Sequence, residues 1–257
     1  MIIHSYDVAS ESITSPKAFV GEQKHICDVA IATFSQEIFS AALEKYPHRQ
    51  ICDMHAANKT KPLMLLSIGG LDVAFYLSEI GSAMAANDII EINWVCGATK
   101  FIAFGSSGSL DRAATEGKYV IPTEAYRDEG MSYHYAPPAD YIKIGNADLL
   151  GELFSRWGLP HISGRVWTTD AFYRETRNLV NQRKSEGCVA VEMELAGMQA
   201  VCDFHHIELY DFLVTGDVVD QDVYTPEGLH EANHSMDKFD IAIKIAQFIS
   251  GHNNTMS

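Results

Sequence analysis

Apolar runs alternate along this chain with segments whose apolar positions recur every three or four places, and these two periods separate strands from helices. Read this way, residues 29–33 predict a strand and 35–44 a helix. The apolar runs 63–67 and 73–77 flank Ile68-Gly69-Gly70-Leu71-Asp72, which has the form of a hairpin turn. A helix is expected to open at Gly81-Ser82 and run over 83–94, followed by a buried strand at 100–104 that leads into the turn Gly105-Ser106-Ser107-Gly108-Ser109, and by another strand at 119–122. Next come a helix at 148–157, a strand at 161–167 and a helix at 172–186. Cys188 to Val191 is a short β-type run, and Leu195, Met198, Val201 and Cys202 share one helical face. A strand at 208–215 runs into Gly216-Asp217, Thr225-Pro226 has the form of a capped helix start, and Phe239, Ala242, Ile243, Ala246 and Ile249 keep helical spacing. Residues 48–62 are polar and irregular and read as a loop. Strands alternating with helices imply an α/β fold. No internal repeat or low-complexity linker breaks the pattern, so residues 1–257 are expected to form a single domain.

Composition narrows the class. The chain has 257 residues, 47% of them hydrophobic, which is enough to bury a core without staples. Lys and Arg number 19 against 34 Asp and Glu, a formal net charge of −15, so polymeric nucleic acid would be repelled. A small anion held by backbone amides is still compatible with that field. The five cysteines are odd in number and widely spaced, which reads as reduced core cysteines rather than disulfides or a metal site. Met1 to Asp7 lacks a basic stretch followed by an apolar run, and no segment has membrane-spanning length. A cytoplasmic protein without membrane contact is expected.

The chemistry concentrates at strand ends, where an α/β sheet presents side chains to a ligand. Glu192 and Glu194 flank Met193 between the run ending at Val191 and the helix from Leu195; as first-turn acids they also suit the helix dipole. The glycines of Gly105-Ser106-Ser107-Gly108 let backbone amides face an anion, and the two hydroxyls add donors. Three further segments end strands: Ala125 to Tyr135, including Arg127, Glu129 and Gly130; Trp167 to Arg174; and Val214-Thr215-Gly216-Asp217.

In this order, the segments closely resemble the nucleoside phosphorylase family, which includes purine nucleoside and uridine phosphorylases and methylthioadenosine nucleosidase. The resemblance is good over 100–217, fair over 81–94, and poor at the N-terminus and after Asp220. It implies a three-layer α/β sandwich whose twisted mixed central sheet is flanked by helices, assembled as a homodimer or a hexamer of dimers. It implies cleavage of a ribonucleoside with inorganic phosphate to give free base and ribose 1-phosphate, purine favoured over uridine. A small-molecule nucleoside and phosphate would be the partners, and no metal or organic cofactor is implied. Gly81, Ser106 and Arg127 would lie on the phosphate side, with Gly108 between phosphate and base. Phe172, Ser107, Val191 and Glu192 would line the base, and Met193 and Glu194 the ribose. His4 would reach the ribose site of a neighbouring copy. An ionised carboxylate at Glu194 can accept a vicinal diol with its two oxygens. Asp217 matches the aspartate of purine-cleaving members and would protonate N7 of the leaving base, with Asp220 and Asp222 as rivals. Arg177 falls near the base-reading groups of pyrimidine-specific relatives.

Departures from the family pattern keep other readings open. Ala32-Thr33-Phe34-Ser35-Gln36-Glu37 stands where the family has Gly-Asp-Pro and a phosphate-binding arginine, and Ala103 stands where its phosphorylases place a second arginine. Arg49, Arg127 and Arg174 are the candidate substitutes. A nucleosidase that uses water, or a non-catalytic nucleoside-binding protein, is therefore the alternative. His230-Glu231-Ala232-Asn233-His234 matches the zinc-protease motif HExxH, but only Asp237, Asp240 and His252 offer a third ligand nearby, and a protease is disfavoured. The tyrosines from Tyr133 to Tyr141 are either core residues or lie at the pocket mouth.

Overall fold

A computed structural model of the chain describes residues 1–219 and 224–251. Asp220, Asp222 and His252 lie outside the described residues. Ten strands form one mixed sheet: β1 (Val29–Thr33), β2 (His48–Ala56), β3 (Lys59–Ile68), β4 (Leu71–Leu77), β5 (Lys100–Ser109), β6 (Tyr119–Asp128), β7 (Tyr141–Lys143), β8 (His161–Thr169), β9 (Cys188–Glu192) and β10 (Glu208–Val218). The longer helices are α1 (Gln36–Lys45), α2 (Ser82–Cys96), α3 (Ala147–Arg156), α4 (Arg177–Ser185), α5 (Leu195–His205), α6 (Leu229–His234) and α7 (Asp237–Ile249).

The sheet runs β10-β6-β8-β9-β5-β1-β4-β3-β2, and β10 also pairs with β5. Strands β5, β10, β6, β8 and β9 thus close into a ring, and β1, β4, β3 and β2 extend from it as a wing. Each face carries its own core. Phe101, Ala103, Leu209 and Leu213 point toward a layer containing Ala85 and Ile89 of α2 and Leu195 and Met198 of α5. Ile102, Phe104, Tyr210 and Phe212 point toward Ile38 of α1, Phe154 of α3 and Phe239 of α7. Alternate residues of the same strands serve opposite layers, as the two-residue period of a pleated strand requires. The expected three-layer architecture is thus present, with part of its sheet closed on itself.

Several boundaries differ from the pattern-based reading. Residues 48–62 form most of a hairpin instead of a loop; β2 is an edge strand exposed along much of its length, so it carries no apolar alternation to read. Gly105 to Ser109 continues β5 as strand, held by β10 on one side and β9 on the other. The helix expected over 172–186 is broken: a 3-10 turn at Phe172–Arg174 precedes α4, and Glu175 and Thr176 stand between them. Thr225 bridges to Val218 instead of capping a helix, and α6 opens only after Gly228, whose φ of 97° suits glycine. The five cysteines are free, as expected. No helix among the described residues is long and apolar enough to cross a membrane.

Candidate active site

Where β5, β9 and β10 end, a cavity of about 330 Å³ opens between the ring and α6. The junction of β9 with α5 supplies one wall. Glu192 is buried and accepts the backbone N–H groups of Glu194 and Leu195, each at 2.7 Å, and the Thr168 hydroxyl. It therefore caps the start of α5, and burial raises its pKa above the usual carboxylate range. Glu192 lines the cavity with Oε2 held by the two backbone N–H groups and Oε1 by the Thr168 hydroxyl. Val191, Met193 and Glu194 line the same wall. Oε1 of Glu194 accepts the Gly81 N–H at 2.6 Å, while burial and the neighbouring Glu192 push its pKa upward. The N–H of Gly81 is thus taken by Glu194, and Gly81 does not itself line the cavity.

The ring strands supply the floor. Gly105, Ser106, Ser107 and Gly108 all line it. The hydroxyl of Ser107 is buried without a partner, whereas that of Ser106 donates to Asn233 of α6. A Cβ on Gly108 would stand 2.6 Å from Val219 and 2.9 Å from Val191, so only glycine lets these strands close. Asp217, at the end of β10, is buried; desolvation raises its pKa, and a Tyr224 hydrogen bond opposes that rise. Asp211 lies lower on β10 with Oδ1 unpartnered, and burial, with Glu192 and Glu194 nearby, pushes its pKa well up. Phe172, 40% exposed, stands at the rim on the turn that breaks the predicted helix.

Sequence reasoning missed Phe34, Ile80, Glu175, Met198, Asp211, Leu213 and Leu229 as lining residues, and met Asn233 and His234 only in the HExxH pattern. Glu175 matters most. Burial and the charge of Asp217 raise its pKa to about 7, so two interacting carboxyls line one part of the cavity. The helix predicted across 172–186 hid this; only the break at Thr176 brings Glu175 to the wall. Asp211 gave a faint signal, as a lone acid inside an apolar strand.

Other expected residues lie elsewhere. Arg127 is 3% exposed and does not line the cavity; its Nε donates to Ser132 at 2.8 Å and one Nη to the Pro137 carbonyl at 2.6 Å, and its guanidinium lies 4.2 Å from the Tyr133 ring. It holds the 132–139 segment instead of an anion, which corrects its place on the phosphate side. Tyr133 and Tyr141 likewise pack on arginines, Arg127 and Arg165, away from the cavity. His4 sits in an exposed turn, Ile2–His4, and does not line the cavity of its own chain. Arg49, Arg174 and Arg177 do not line it either. Among the described residues the lining contains Glu175, Glu192, Glu194, Asp211 and Asp217, and no lysine or arginine.

The sequence profile of the phosphorylase superfamily matches residues 28–247. A guanosine phosphorylase of Halorubrum lacusprofundi is 28% identical over 158 residues, covering 59% of this chain and 64% of that protein. The chain thus matches less than two thirds of that relative's length. A purine nucleoside phosphorylase from Toxoplasma gondii, solved with immucillin-H, superposes with a TM-score of 0.70 at 17% identity, covering 88% of this chain and 94% of the other. An AMP nucleosidase from Bacteroides thetaiotaomicron gives a TM-score of 0.68 at 19% identity, covering 88% and 90%. The last two show the shared fold, and the profile match shows the lineage: this chain belongs to the phosphorylase superfamily of nucleoside phosphorylases and nucleosidases.

Proposed function

We propose that this protein cleaves the N-glycosidic bond of a purine nucleoside with water as the nucleophile. One observation carries the choice of water over phosphate, the leading expectation from sequence: no lysine or arginine lines the cavity, whose five ionisable side chains besides His234 are all carboxylic acids. A phosphate dianion among those groups would lack a counter-charge, whereas water needs none. In this reading Glu194 accepts the ribose 2′- and 3′-hydroxyls, and Met193 packs on the sugar face. Phe172 covers the base, which Ser107 and Gly108 approach from the floor. Asp217, whose pKa burial raises, donates its proton to N7 as the C1′–N9 bond breaks, with Glu175 beside it. Positive charge building on the ribose is stabilised by Glu194 in its ionised form.

The names of sequence relatives support phosphorolysis instead, and that reading requires a cation from outside this chain's own wall, such as one from a neighbouring copy. A homodimer, or a hexamer of dimers with His4 shared between copies, is the assembly proposed with either reading; light scattering of the purified protein tests it.

The deciding measurement is base release from inosine, adenosine, guanosine and uridine, with and without phosphate. Purine release that is indifferent to phosphate and yields free ribose is expected. Release that needs phosphate and yields ribose 1-phosphate overturns the choice of water. Recovery of every nucleoside unchanged points to a binding protein. Asp217→Asn should slow purines far more than substrates with better leaving groups.

A further inference from the structure

The HExxH pattern in the sequence is not part of a protease site, yet its two histidines do not stand alone. They occupy positions i and i+4 of α6 and so share a face, with ring centroids 4.7 Å apart. Glu37, in the first turn of α1, approaches them, with its carboxylate 3.9 Å from Nδ1 of His234. One ligand atom from each of Glu37, His230 and His234 lies within 4.8 Å of the others. Glu231, which would be the general base of a protease, is not among them.

We propose that Glu37, His230 and His234 form a binding site for a divalent transition-metal ion of the zinc class. Two imidazoles and a carboxylate suit zinc, cobalt or nickel, whereas magnesium and calcium prefer oxygen donors alone. Ligand atoms at about 2.0–2.2 Å from a tetrahedral ion stand a little over 3 Å apart, so closure needs side-chain rotations of an ångström or so. Glu37 and His230 are exposed and can make them. His234 is already oriented: the Ser35 hydroxyl, which caps α1 by accepting the Ile38 N–H, lies 2.7 Å from its Nδ1. Metal-bound imidazoles are held by such outer partners. Three protein ligands leave a coordination position open to water. A bound ion ties α6 to α1, and α6 carries Leu229, Asn233 and His234 of the cavity wall.

Isothermal titration of the purified protein with zinc, and visible spectra with cobalt(II), test this without reference to activity. One zinc per chain is expected, with cobalt d–d bands of a low-coordinate site and no competition from magnesium. Glu37→Gln and His230→Ala should each weaken zinc binding about tenfold or more, the scale on which even outer-shell partners act. Circular dichroism should show both variants folded. Zinc should raise the melting temperature of the wild type and not of the double variant. Zinc binding equal in wild type and folded double variant, or no stoichiometric binding by the wild type, overturns the assignment.

Discussion

Oε1 of Glu194 accepts the Gly81 amide, which fixes its carboxyl group at the entrance to α5, on the cavity wall. If its ligand is a ribose diol, Glu194→Ala should lower kcat/KM for ribonucleosides by about two to three orders of magnitude, the usual loss when a preorganised polar partner is removed. A 2′,3′-dideoxynucleoside, which offers no diol, should lose far less; equal losses would remove the ribose assignment. Glu175 carries a different signature. Its folded pKa, about 7, lies above its ordinary value of 4.5, so its protonated form is the one the fold favours. The stability it contributes is full below about pH 4.5 and is lost as pH rises through about 7. Glu175→Gln should therefore melt with the wild type at pH 4.5 and above it at pH 8; identical melting at both would contradict the burial argument. At this scale the sequence was informative where a residue's position follows from a strand end, as for Glu194 and Asp217, which both line the cavity. It was silent where a side chain's bonds decide, as for Arg127, whose guanidinium is occupied by main-chain carbonyls that no pattern announces.

At the scale of elements, the cavity depends on how closely α6 approaches the end of β10. A Cβ on Gly216 would stand 2.8 Å from Cβ of Ala232 and 2.9 Å from Cα of Leu229, and backbone atoms cannot give way as a flexible side chain can. Gly216→Ala should cost about 1–3 kcal/mol, the range for overpacking, and should push α6 outward. Urea denaturation reads the first effect, and weaker nucleoside binding by the folded variant reads the second. Strands buried on both faces, such as β1 and the first half of β5, were legible as apolar runs. The edge strand β2 was not, because its exposed positions are polar by necessity. The break at Glu175-Thr176 was hidden as well, since nothing local forbids a continuous helix there and the ring's geometry determines the turn.

For the whole molecule, charge is the dominant fact: −15 overall, with no lysine or arginine at the cavity. Such a field discriminates against anionic ligands more than against neutral ones of the same shape. Nucleoside 5′-monophosphates should therefore be processed more slowly than the matching nucleosides, by about tenfold or more at low salt, with the gap narrowing as salt screens the field. Comparable rates for adenosine and AMP at low ionic strength would show that a local cation outweighs the global charge.

Ring closure also governs how the chain meets its own copies in a crowded solution. A strand with a free side is a template onto which another chain can add, and the ring removes that opportunity at the β10 end of the sheet. Among the described residues the long strand left open is β2, which presents His48, Arg49, Gln50, Asp53 and His55 to solvent. Polar and charged residues along the one extended open edge disfavour the stacking of molecules into fibres, so this sheet can be large without being sticky.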